Sequence, residues 1–156
     1  MQKLKILITG VNGYIGRHVA EFLLNEGHEV LGADLRFDDL DPRIIRINEP
    51  IFSGAEDIYE KMQKPDVCIH LAWRDGFAHG ADSHILDLPS HYIFIKNMLK
   101  GGLPRIAVMG SMHEIAELSP IDSTALAVLK LVQTDRRFTV FHACNSHHIY
   151  MADLIY

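Results

Sequence analysis

Along this chain, short continuous apolar runs alternate with longer stretches of helical period. Leu4-Lys5-Ile6-Leu7-Ile8 reads as a buried strand over Lys5–Thr9. From Tyr14 to Glu26 the hydrophobic positions recur with the spacing of an amphipathic helix, closed by Gly27. Glu29–Ala33 is a second strand ending at Asp34, and Arg43–Ile47 a short third. Ser53-Gly54-Ala55-Glu56 has the form of a capping box and predicts a helix that Pro65 ends. Asp66–Ala72 is a fourth strand, apolar almost throughout, as expected where both faces of a parallel sheet are covered. A loop rich in Gly, His and Asp over Trp73–Ser83 leads to a helix at Ile85–Leu99, stopped by Gly101-Gly102, and then to a strand at Arg105–Met109. Further on, Ser119-Pro120-Ile121-Asp122 opens a helix to about Val132, Phe138–His142 is another strand, and Met151–Tyr156 begins a helix.

This alternation predicts an α/β protein: a doubly wound parallel sheet in three layers, α/β/α, with right-handed crossovers. In such a sheet a ligand sits at the C-terminal strand ends near the point where strand order reverses. There Gly10, Asp34, Ala72 and Ser111 would converge.

Composition narrows the picture. A chain of 156 residues with 48% hydrophobic content has the material for one domain with a real core, spanning residues 1–156. The net charge of −5 argues against nucleic acid as a partner. No apolar run reaches the length of a membrane span, and Met1 stands almost on the first strand, leaving no room for a signal peptide. Cys68 and Cys144 read as reduced thiols of a cytoplasmic protein rather than a disulfide framework. The ten histidines include two loose series, His79, His84, His91 and His142, His147, His148. Neither has the spacing of a metal motif, so no metal site is expected and the imidazoles read as surface or core residues.

The chemistry concentrates in Thr9-Gly10-Val11-Asn12-Gly13-Tyr14-Ile15-Gly16. A buried strand, a glycine turn and the first turn of a helix form a cradle for a dinucleotide pyrophosphate. Gly10 makes the tight turn, Gly13 admits the pyrophosphate, and Gly16 lets helix and strand pack closely. The plainer alternative is a structural glycine turn. Asp34 stands where a carboxylate would accept hydrogen bonds from an adenosine ribose, and it repels a 2′-phosphate, favouring NAD. Arg36 could pair with such a phosphate, so NADP is the alternative. A plain turn residue is the other reading of Asp34.

Together these residues resemble the NAD-dependent epimerase/dehydratase family, the extended short-chain dehydrogenases/reductases, which implies a Rossmann-type fold. Thr9–Gly16 matches that family's T-G-x-x-G-x-x-G. His70-Leu71-Ala72-Trp73 is similar to its H-L-A-A segment, which implies that Leu71, Ala72 and Trp73 line the nicotinamide side. Asn12, Tyr14, Ile15, Leu35 and Arg36 join the cofactor contacts by the same match. Ile106–Glu114 resembles the strand whose hydroxyl residue contacts the substrate, making Ser111 the catalytic candidate. Asn48 and Glu49 stand near the family's acidic contact to adenine.

The family's proton-transfer pair is Y-x-x-x-K on the helix after that strand. No such pair follows Ser111. Tyr92-Ile93-Phe94-Ile95-Lys96 satisfies the pattern but precedes the strand, and is read as a chance match. Residues 119–155 resemble later family segments, closest to thioester-reductase domains. The chain thus reads as a cofactor half, residues 1–114, joined to a later segment, residues 117–156, with the catalytic helix missing between. That pattern implies an internally deleted, truncated or chimeric chain. The implied function is an oxidoreductase or epimerase acting on a nucleotide sugar or similar hydroxyl substrate. The alternative is a non-catalytic dinucleotide-binding module. The apolar helix after Ser83 implies a homodimer.

Overall fold

The computed structural model describes residues 2–76, 78, 80–109 and the backbone of 140–143 and 149–152. Among the described residues, strands β1 (Lys5–Thr9), β2 (Glu29–Ala33), β3 (Ile45–Ile47), β4 (Val67–His70) and β5 (Arg105–Val108) form one parallel sheet of order β3-β2-β1-β4-β5. The order reverses between β1 and β4, so the doubly wound parallel sheet expected from the alternation is the observed fold.

Side-chain alternation along each strand divides the core in two. Ile6, Ile8, Val30, Val67 and Ile69 pack on one face against Val19, Ala20 and Leu23 of helix α1 (Tyr14–Asn25). Leu7, Leu31 and Cys68 face the other way, against Ile58 and Met62 and against Phe94 and Met98. Ile58 opens the single-turn helix α2 (Ile58–Lys61), while Phe94 and Met98 belong to α4 (Leu88–Lys100). Because strands are buried on both faces, continuous apolar runs mark them in sequence. No described helix is long and apolar enough to cross a membrane.

Several expected elements take different bounds. The Ser53–Glu56 box does not open a helix: Ser53 Oγ accepts the Ala55 amide at 3.4 Å, and α2 begins only after Asp57. The segment is instead drawn to α4, where buried Asn97 donates through Nδ2 to the carbonyls of Gly54 and Ala55 at 3.3 and 3.0 Å. Gln63 and Lys64 then adopt left-handed φ values of 61° and 53°, so α2 stops ahead of Pro65. The Ile85–Leu99 helix divides into α3 (Ser83–Leu86) and α4, with Pro89 in the first turn of α4.

Toward the C-terminus, β6 (Val140–Ala143) pairs antiparallel with β7 (Ile149–Ala152) in a separate two-stranded sheet. The strand expected at Phe138–His142 is therefore present in part, outside the parallel sheet. The helix expected from Met151 is corrected, since Met151 and Ala152 belong to β7, where Ile149 and Tyr150 bring strong strand preference. The helix expected at Ser119–Val132 and the site residue Ser111 lie outside the described residues.

Candidate functional site

The cradle hangs from the C-terminal end of β1, the central strand. Gly10 has φ +71°, and a Cβ there would stand 2.8 Å from the Ala72 nitrogen. Its own amide donates to the Ala33 carbonyl at 2.8 Å, tying the turn to β2. A Cβ on Gly16 would run into the Gly10 carbonyl and stand 2.8 Å from Val11 Cα, so helix α1 can approach the turn only with glycine there. Both positions are dictated by the fold.

Gly13 is different. Its φ of −69° suits any residue, and a Cβ would meet only the Gly10 carbonyl, at 3.2 Å. It is the N-cap of α1, yet no side chain caps the helix and no acidic residue lies in its first turn. The Gly13 amide donates to the Gly10 carbonyl at 3.1 Å, which leaves Tyr14, Ile15 and Gly16 as the first-turn amides open to an anion. An uncapped helix start with a glycine under far less backbone constraint than Gly10 or Gly16 fits a phosphate group.

Asp34 closes the other side. One carboxylate oxygen accepts the Asn12 amide at 2.8 Å; the second accepts the Leu35 amide at 2.7 Å and the Arg36 amide at 3.4 Å. A carboxylate has further lone pairs for a ribose hydroxyl. The Leu35 side chain and Arg36 are exposed beside it. Glu49, near the expected adenine contact, is paired with Lys61 at 3.4 Å.

Arg17 is a member of the site that the motif did not predict. Its guanidinium donates to the Asn12 carbonyl at 2.9 Å, to Asn12 Oδ1 at 2.6 Å and to the Asp38 carbonyl at 2.8 Å. A cation this close to a helix start, at the fourth residue of α1, opposes the helix dipole, and that local misfit was the available signal.

At the end of β4, the Leu71 amide donates to the Thr9 carbonyl at 3.1 Å and the Ala72 amide to Thr9 Oγ1 at 3.3 Å. Thr9 Oγ1 lies 2.7 Å from His70 Nδ1, and His70 Nε2 lies 2.8 Å from His91 Nδ1. The Trp73 ring, half exposed, stacks on His91 with centroids 5.1 Å apart. Burial, with help from the neighbouring His91, pushes the His70 pKa down to about 4. Burial also lowers that of His91, opposed by Asp87. Contacts at the C-terminal ends of β1, β2 and β4 thus bring together Gly10, Asn12, Asp34, Leu71 and Ala72, while Ser111 lies outside the described residues. Tyr92 lies on the exposed outer face of α4, with Lys96 Nζ 5.9 Å from its ring centroid.

A glycine turn on the central strand, an uncapped helix start and an acidic residue just past the adjoining strand are features of the Rossmann-type class of α/β proteins. Residues 6–150 match the model of the NAD dependent epimerase/dehydratase family, and the chain belongs to that family. It is 37% identical over 127 residues to dTDP-6-deoxy-L-talose 4-dehydrogenase (NAD(+)) of Aggregatibacter actinomycetemcomitans, covering 77% of this chain and 46% of that protein. The chain thus spans less than half of that relative's length. The Bordetella bronchiseptica enzyme WbmH, solved in complex with NAD+, superposes with a TM-score of 0.53 at 26% identity, covering 67% of this chain and 38% of that one. UDP-glucose 4-epimerase of Thermotoga maritima shares the fold, with a TM-score of 0.61 at 18% identity, covering 87% of this chain and 53% of that one.

Proposed function

We propose that this chain binds NAD in the Gly10–Gly16 cradle and serves an oxidoreductase or epimerase acting on a nucleotide sugar. The observation that carries the reading is the start of α1: an uncapped helix whose N-cap glycine has an ordinary φ and one close backbone neighbour. Tyr14, Ile15 and Gly16 would hold the pyrophosphate through their amides. Asp34 would receive the ribose hydroxyls and disfavour a 2′-phosphate, while Arg17 holds the loop in shape. The bound nicotinamide supplies a hydride acceptor. Leu71, Ala72 and Trp73 wall its side of the site, and Ser111 would orient the substrate hydroxyl.

The NAD named with the talose dehydrogenase and with WbmH supports this choice of cofactor. The enzymes among the relatives favour turnover over a non-catalytic binding module. The sequence holds no Y-x-x-x-K after Ser111.

The outer face of α3 and α4 supports self-association as a homodimer, with Ile85, Leu86 and Tyr92 between 65% and 71% exposed. The buried thiol Cys68 fits a reducing cytoplasmic setting.

The test is thermal melting with NAD and with NADP. A ligand that binds the folded state alone raises the melting temperature with concentration. NAD should raise it and NADP should do so less; no shift with either sinks the reading. Incubation with dTDP- and UDP-sugars, following NADH absorbance, then reads turnover.

A further inference from the structure

Thr9, His70 and His91 form a buried chain of hydrogen bonds running from the mouth of the cradle to helix α4. Its polarity is set by its inner end. The Ala72 amide can only donate, so Thr9 Oγ1 accepts it. Among the described residues the hydroxyl's other side-chain partner is His70 Nδ1, and donation to that nitrogen is the arrangement that satisfies the buried hydroxyl hydrogen. A neutral imidazole that accepts at Nδ1 carries its hydrogen on Nε2, and that hydrogen is donated to His91 Nδ1. In this arrangement His91 is unprotonated at Nδ1.

From this geometry we infer that His91 is a positioning residue for the cradle: by accepting from His70 it fixes the tautomer in which Thr9 donates to His70 and keeps its lone pairs for the Ala72 amide. The inference rests on the proposed dinucleotide reading for its consequence, because Ala72 lies against Gly10 with no space between them. The Phe52 ring meets His91 edge-on at 4.6 Å and Trp73 stacks on it, so the ring is clamped from two sides.

A proton on His91 would set an N–H at Nδ1 against the His70 N–H. Either that contact opens or His70 moves its hydrogen to Nδ1, and the Thr9 proton loses its acceptor. Among the described residues, the titratable groups around His91 are few. His70 faces it from β4, Asp87 from the head of α4, and His84 lies beyond Trp73. Asp87 is itself held by the Arg74 guanidinium at 2.9 and 3.0 Å, which tempers its pull on His91.

Imidazole ¹⁵N spectra and amide exchange on the full chain test the inference without cofactor. Wild-type His70 should be neutral with its hydrogen on Nε2; a hydrogen on Nδ1 overturns the proposal with no variant needed. In H91F, which keeps an aromatic ring but has no acceptor, His70 should lose that single tautomer. Ala72 amide exchange should rise roughly tenfold while β2 amides hold. H91N, which restores an acceptor, should recover both. Unchanged His70 and Ala72 signals in H91F also overturn it. NAD titration then adds the functional consequence, a roughly fivefold weaker Kd in H91F. If wild type binds no NAD, the cofactor reading fails, while the spectra and exchange rates still decide the role of His91.

Discussion

Gly10 and Ala72, from neighbouring strand ends, lie backbone against backbone, so that a methyl on Gly10 would stand 2.8 Å from the Ala72 nitrogen. Gly10→Ala would add left-handed strain at φ +71° to that overlap. The expected loss is roughly 2–4 kcal/mol of stability in urea unfolding. Gly13→Ala makes the instructive contrast. With an ordinary φ and a single close contact at 3.2 Å, it should stay within about 1 kcal/mol of wild type while NAD binding falls at least about tenfold. Equal NAD affinity in Gly13→Ala would remove the phosphate from that position.

Asp34→Asn keeps one acceptor for the Asn12 amide but loses the charge and one of the two carboxylate oxygens. NAD affinity should drop by roughly tenfold, and the preference for NAD over NADP should narrow as repulsion of a 2′-phosphate disappears. Parallel calorimetric titrations with the two dinucleotides measure the ratio. An unchanged ratio would assign cofactor choice elsewhere.

Acid should destabilise the fold through its buried histidines. His70 has its pKa lowered from 6.5 to about 4, and burial lowers those of His28 and His91 as well. The unfolded chain therefore takes up protons first as pH falls below about 6.5, and unfolding free energy declines until the folded-state values are passed. His70 alone contributes a loss of up to about 3 kcal/mol by pH 4. Urea titrations across that window should show a shallower slope in His70→Gln, and an identical slope would exclude His70 as the source.

The outer face of α4 should carry self-association. Ile93→Asp changes an exposed apolar side chain into a charge without touching the core, so it should shift a dimer to a monomer in multi-angle light scattering. Wild type that stays monomeric at every concentration would refute the homodimer.

The strands and the cradle were legible because one force wrote both. Strands buried on both faces need continuous apolar runs, and β1 and β2 run over the residues expected. The glycines at 10 and 16 are demanded by backbone contact, so a motif could announce them. What could not be read depends on distant partners. Asn97 redirects the Ser53–Glu56 segment from more than forty residues away, and no local pattern encodes that bond. His91 meets His70 only once α4 has docked on the sheet, and Arg17 signalled itself only by opposing the helix dipole.

The cradle's strand, β1, is flanked by β2 and β4, whereas β3 is three residues long and the end of β5 at Val108 is open to solvent. Transient opening of a sheet begins at its margins, where fewest contacts must be broken. Fluctuations that release β3 or β5 would therefore leave the glycine turn standing. The first-turn amides of α1 would be among the last to lose their arrangement, and a dinucleotide bound as proposed would report on the global transition rather than on fraying edges.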